Sequence, residues 1–233
     1  MKVTLLASTA ALPVAYQTLN YDYGFDGVIP PKSADVVAEF AGRACYQSFN
    51  KPNPATAKNA DYLGNVISQA HYSVLEHNSF TFYIEGVSRA LTHELIRHRH
   101  LSYSQLSQRF VNESDRAAPI SPPAFRQSES AGRLQALLAY VDHITHEAYK
   151  EAAHILEKGD GLTRKQAREA ARCFLPNMTE TKIVVTGNLR AWREFVAKRN
   201  NEHADAEIQE LAELIQYHLD HLAPNSMQEV QDR

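Results

Sequence analysis

Residues 79–109 read SFTFYIEGVSRALTHELIRHRHLSYSQLSQR, and how this stretch is read decides which fold the chain can build. Ser79 to Ile84 alternates aromatic and β-branched residues, the two-residue period of a strand with one buried face. Gly86 marks its end. Ser88 then starts a helix, and Leu91 and Leu95, with Ala90, give that helix an apolar face. The helix delivers Arg97 at its C-terminal end. From there to Arg109 the chain holds Arg97, Arg99 and Arg109, with His98 and His100 beside them and no acidic residue. Ser102, Ser104, Gln105 and Ser107 lie between the arginines. A guanidinium presents a planar fork of donors that matches phosphate or carboxylate oxygens and never loses its charge. Serine hydroxyls and backbone N–H groups complete such a site. The run is thus a candidate anion site, although a short basic run is more often a solvated face. HELIRH inside it is one residue longer than HExxH, so His93 and His98 share no helical face and zinc is not indicated.

Working outward, Val3 to Ala7 reads as a first strand and residues 11–32, rich in Pro, Gly, Asn and Asp, as loop. Ser33 caps a helix to about Gln47 with Val36, Val37, Phe40, Ala41 and Ala44 as its stripe. A second helix covers roughly residues 55–70. HYSVLEH, from His71 to His77, reads as a braced turn before the strand, with too few ligands for a metal. Beyond Arg109 a loop leads to about residue 127. A long helix over roughly 128–158 carries Leu134, Leu137, Leu138, Val141, Ile144 and Ile155 and stops at Gly159-Asp160-Gly161. Thr163 with Gln166 forms a capping box for a helix with Ala167, Ala170, Ala171 and Phe174 inward and Arg164, Arg168 and Arg172 opposite. Lys182 to Thr186 is another strand. The helix after it turns Trp192, Phe195 and Val196 inward, with Arg190, Arg193 and Arg199 on it or at its ends. A last helix, 204–222, carries Ile208, Leu211, Leu214 and Ile215. Few strands and several long helices, without βαβ alternation, predict an α+β fold with an antiparallel sheet, and the 233 residues suit a single domain over 1–233.

The net charge of −3 makes anion binding local and argues against a protein that coats nucleic acid. Cys45 and Cys173 form no CxxC pair and read as small buried residues in a reducing compartment. No stretch is long and apolar enough to span a membrane, and the expected location is cytoplasmic. The glycines form neither GxGxxG nor GxxxxGK[ST], and no GxSxG or activated Cys suggests a covalent nucleophile. Arg97, Arg99, Arg109, Arg172, Arg190 and Arg199 remain, a set suited to a nucleotide or dinucleotide, or to a ligand whose negative charge grows during reaction.

Arg97-His98-Arg99, seven residues and then Ser107 resembles the signature of the flavin-dependent thymidylate synthases. His71, Ser73, Glu76 and His77 fit that family's upstream H-x-[ST]-x-x-E-H segment. Arg172 to Pro176, Asn188-Leu189-Arg190, and Arg199 followed by His203-Ala204 and Glu207-Ile208 also look like the family, so the similarity runs from about residue 38 to 215. The resemblance implies an enzyme that makes dTMP from dUMP, with methylenetetrahydrofolate as carbon donor and FAD, reduced by NADPH, as hydride carrier. It implies a homotetramer with FAD sites at subunit interfaces, and no metal, membrane or nucleic-acid partner. On residue match, His71, Ser73, Arg97, His98, Arg99, Gln105, Asn188, Leu189 and Arg190 contact FAD. Glu94, Leu95, Ile96, Arg97, Gln105, Leu106, Ser107, Gln108, Arg109 and Arg172 hold dUMP. The same resemblance implies that Arg199 sits beside uracil nitrogen 3 and stabilises the anion formed there, since its own pKa is too high for it to act as a base. Gln105, often Glu in the family, and Glu194, where relatives place His or Asn near the flavin, are departures. A nucleic-acid-binding module and a flavin enzyme with a different pyrimidine reaction stay open as alternatives.

Overall fold

The computed structural model describes residues 1–21, 30–115 and 118–228. Four strands form one antiparallel sheet: β1 (Lys2–Ser8), β2 (Ser79–Ser88), β3 (Leu101–Gln105) and β4 (Glu180–Asn188), in the order β1-β2-β4-β3. The fold is α+β, as the sequence predicts. Phe80, Phe82 and Ile84 on β2 and Ile183 and Val185 on β4 all point to one face and are buried. Strand β2 runs on past Gly86, where the sequence reading ends it. Between Ile84, opposite Ile183, and Val87, opposite Thr181, β2 spends one extra residue, a bulge in which Gly86 takes φ +70°. The bulge returns Val87 to the buried face. The short edge strand β3 is not anticipated at all by the sequence reading.

Helices cover the buried face: α2 (Ser33–Tyr46), α3 (Asn59–Ser68), α4 (Arg89–Leu95), α8 (Leu189–Arg199) and α9 (Ala206–Leu222). Trp192 lies at the centre, edge-on to Phe82 at 5.2 Å and to Phe195 at 5.7 Å, with its indole N–H donated to the Phe80 carbonyl at 3.2 Å. Its polar atom is thereby satisfied and its full ring area counts toward stability. Gly187 on β4 faces Leu101 on β3, and a Cβ there would come within 2.2 Å of the Leu101 side chain. The absent side chain is what lets Leu101 reach the tryptophan.

Several local readings need correction. The predicted loop at 11–32 contains the short helix α1 (Pro13–Thr18), and its residues 22–29 lie outside the described ones. The loop to 127 contains α5 (Pro123–Gln127). Ser33 is the first residue of α2 rather than its cap; its hydroxyl meets Tyr16 Oη instead. Both cysteines are free and exposed, not buried. Phe174 is exposed, because the chain leaves α7 (Arg164–Ala171) in a tight turn before reaching it. The capping box of Thr163 and Gln166 on α7 is present as read.

Helix α2 does not bury the apolar stripe read from its sequence. Of that stripe only Val36 is fully buried, while Asp35, Glu39 and Arg43 are buried with it. Glu39 accepts from Arg43 Nε at 2.6 Å, Asn59 Nδ2 at 2.8 Å and Tyr21 Oη at 2.5 Å. The other Arg43 donors reach the Ser48 and Thr56 carbonyls, and its guanidinium lies 4.2 Å over the Tyr62 ring. A buried ion pair holds its place only when its remaining donors and acceptors are met in this way.

Helix α6 (Ala131–His154) behaves differently again. It packs against α5 and α7, and only Leu138 and Tyr149 of its residues are buried. Leu137, Tyr140, Val141 and Ile144 are 52%, 63%, 39% and 46% exposed. With Ile155 at 49% they form a stripe ~27 Å long at helical rise. The predicted stripe is split: Leu138 is buried, while Leu137, Val141, Ile144 and Ile155 have no full cover among the described residues.

Candidate active site

The turn after α4 is held by hydrogen bonds from its own backbone and from β3. Arg97 and His98 close it with backbone bonds to the Glu94 and Leu95 carbonyls, both at 3.1 Å. Tyr103 Oη, on β3, donates to the carbonyls of Leu95 at 2.7 Å and His98 at 2.8 Å. Burial pushes that phenol up to about 12. The His98 ring stands edge-on to Phe195 at 5.0 Å.

Arg199, the last residue of α8, reaches into this turn. Its Nε donates to His98 Nε2 at 3.0 Å and its Nη1 to Glu94 Oε2 at 2.6 Å. An imidazole nitrogen that accepts from a guanidinium carries no proton, so His98 is neutral with its hydrogen on Nδ1. Burial, then the charges of Arg199 and Lys198, bring its pKa down to about 4. Glu94 is shifted the other way: burial and Asp205, at the start of α9, raise it, and Arg199 opposes them. Arg97, His98, Arg99, Glu194, Lys198 and Arg199 line a cleft of about 290 Å³. Glu194 is ion-paired with Lys198 there.

A second cavity of about 300 Å³ shares His100, Ala191 and Glu194 with the first and adds Glu76, Asn188 and Arg190. Arg190 is held by the Glu76 carboxylate. Asn188 is the N-cap of α8 and its side-chain oxygen accepts from Ala191 N at 2.9 Å, which fixes where Arg190 begins. A third cavity of about 340 Å³ continues past Arg190 to His71, Ser73, Tyr46 and Cys45. His71 enters it from a Schellman close on α3, its N–H on the Val66 carbonyl at 3.0 Å, with Ala70 left-handed at φ 55°. Leu95 and Leu189 are wholly buried, backbone included, and offer a ligand no surface, while Ile96 is exposed. Gln105 turns its amide inward, donating to Thr92 Oγ1 at 3.0 Å and Thr181 Oγ1 at 3.3 Å.

The remaining sequence-predicted residues sit elsewhere. Leu106, Ser107, Gln108, Arg109 and Arg172 gather beyond the far end of β3, a strand ~13 Å long at 3.3 Å per residue. Arg109 is 3.8 Å from Glu169, and Arg168 donates to the Phe110 carbonyl at 2.7 Å. Arg89, not singled out in the sequence, belongs to this group. Its Nη2 donates to the Leu106 carbonyl at 2.9 Å, and its Nε is buried with no hydrogen-bond partner among the described residues. Burial lowers its pKa, Glu113 opposes that, and Arg172 adds to it. The signal available in the sequence was its place one residue after the Ser88 cap, on the edge of the basic run. The chain therefore presents two cationic groups at opposite ends of β3.

The cavities lined by Arg97, Arg99, Arg190 and Arg199 lie on an α+β body, and their donors suit an anionic ligand. The chain belongs to the family described as thymidylate synthase complementing protein, whose model matches residues 29–225. Named relatives agree. A protein of Mycobacteroides abscessus named flavin-dependent thymidylate synthase is 50% identical over 97% of this chain and 88% of its own length. Proteins of the same name from Mycolicibacterium gilvum and Mycobacterium avium are 56% and 54% identical, each over 76% of this chain and 71% of theirs.

Proposed function

We propose that this chain is a flavin-dependent thymidylate synthase, which methylates dUMP to dTMP with methylenetetrahydrofolate as carbon donor and FAD, reduced by NADPH, as hydride carrier. Beyond the family, one observation carries the reading: an arginine that cannot act as a base, Arg199, is aimed by Glu94 and a neutral His98 at a cleft that opens into further arginine-lined space. The donor set fits a dinucleotide. Arg97, Arg99 and Arg190 would meet its phosphates, and the adjoining cavities at His100, Asn188, His71 and Ser73 would hold the rest. When bound, FAD supplies the hydride chemistry that no side chain offers. The protein's part is to bind, orient and polarise the pyrimidine, with Arg199 favouring the anion at nitrogen 3.

Arg89, Ser107, Arg109 and Arg172 would hold the dUMP phosphate. Their separation from Arg199 within one chain supports a site completed by another subunit. The uncovered face of α6 supports assembly into a homotetramer, with FAD at the interfaces and each chain acting as one domain over residues 1–233. No helix among the described residues is long and apolar enough to cross a membrane. A cytoplasmic enzyme is part of the same reading.

The test is the visible spectrum of the purified protein before and after anaerobic NADPH with dUMP, followed by assay of dTMP. A flavin band that bleaches, and dTMP as product, is the expected result; no flavin after incubation with FAD would sink the reading. Arg199→Ala abolishes methylation while FAD still binds, and near-normal turnover in that variant would remove Arg199 from its role.

A further inference from the structure

If nitrogen 3 of the pyrimidine becomes an anion, its proton must go to some group near Arg199. Arg199 cannot take it, being always protonated. His98 is badly placed, because its Nε2 already accepts from Arg199 and a second positive charge would sit against the first. Glu194 lines the same cleft but is paired with Lys198, so of the groups bonded to the guanidinium there remains the Glu94 carboxylate, 2.6 Å from Arg199 Nη1, with about a quarter of its side chain open to solvent.

We infer that Glu94 is the proton acceptor for the pyrimidine, and that its protonation hands Arg199 over from the carboxylate to the new anion. This rests on the dUMP reading above. The nitrogen 3–hydrogen bond breaks and its electron pair stays on the ring. A bond from that hydrogen to a Glu94 carboxylate oxygen forms. Before the step Arg199 faces a carboxylate beside a neutral ring; after it, Arg199 faces a ring anion beside a neutral carboxyl. The sum of charge in the partly buried site is unchanged, so the exchange avoids the cost of creating a lone charge there.

The surroundings suit the exchange. The charged groups facing Glu94 are Arg199 from α8 and Asp205 and Glu207 from the start of α9. His98 on its own segment reaches it through Arg199. Glu207 is already committed, accepting from Ser88 N at 2.8 Å and Ser88 Oγ at 2.6 Å. Asp205 is the N-cap of α9 yet makes no side-chain capping bond, and its negative charge is near enough to Glu94 to raise that carboxyl. Two carboxylates side by side hold a proton more readily than one, and burial adds to this.

The experiment uses the FAD-loaded protein with dUMP bound, binding being checked by calorimetry, and reads the infrared difference spectrum. A carboxylic-acid carbonyl band appears on binding in the wild type and is missing in Glu94→Gln. In turnover, that variant loses about 10²-fold or more in kcat, the range for a general base, with little change in KM for dUMP. Glu94→Asp recovers part of both signals. Wild-type protein that binds dUMP without the band overturns the inference, as does a band that persists in Glu94→Gln. Failure of the loaded wild type to bind dUMP would instead remove the substrate reading beneath it. The wild-type spectrum decides the matter even where the variant folds poorly.

Discussion

Helices α6 and α9 carry apolar stripes of similar regularity and end in opposite surroundings. In α9, Ile208, Leu211, Ala212, Ile215 and Leu219 are wholly buried against the helices and strands of the sheet body. In α6, the equivalent positions Leu137, Val141 and Ile144 are about two-fifths to one-half exposed. Periodicity reveals that a helix has an apolar face. It does not reveal whether the cover for that face is in the same chain. In α9 the stripe is part of the fold; in α6 it is read here as part of an assembly.

The contrast can be broken from either side. The largest effect belongs to the sheet body: Trp192→Ala costs about 3–5 kcal/mol, as for other buried aromatic truncations, read as a lower denaturant midpoint. A cost near zero would mean that the body is not packed around this ring. Next comes Gly187→Ala, where the new methyl collides with Leu101 and crowds the tryptophan. Overpacking of this kind costs about 1–3 kcal/mol, measured the same way, and an unchanged midpoint would show that Leu101 can move aside freely. The smallest effect on chain stability falls on α6. Changing Leu137, Val141 and Ile144 together to Ser should leave the unfolding of the separated chain within the ~0.5 kcal/mol usual for each surface position, while sedimentation shows a lower mass. A mass unchanged by the triple substitution would place the subunit contact elsewhere.

Much of the sheet body was legible because its signals are local. The alternation of Ser79 to Ile84, the Ser88 cap and the Thr163–Gln166 box each depend on neighbours in sequence. Strand β3 was not legible. Its outward residues are Ser102 and Ser104, and its inward ones are Leu101, Tyr103 and Gln105, too mixed for a two-residue hydrophobic period. The site divides in the same way. Arg199 gained its role only through the family resemblance, while Arg97 to Arg99 stood out as residue types in a spacing. Arg89 and Asp205 did not, because what distinguishes them is a partner far along the chain: Leu106 and Arg172 for the first, Glu94 for the second. Glu39 and Arg43 were passed over for a related reason, since charges on a helix ordinarily face water.

That buried pair also constrains how this chain can change over generations. Losing either Glu39 or Arg43 alone strands the other charge in the interior, at a cost of about 3–5 kcal/mol, a large share of the margin of ~5–15 kcal/mol by which such proteins stay folded. Replacing both with well-packed apolar residues is far less damaging. Holding both charges or neither is therefore favoured, and every single-step route between those two conditions crosses a chain of much lower stability. The two positions are inherited as one character, written in two codons four residues apart.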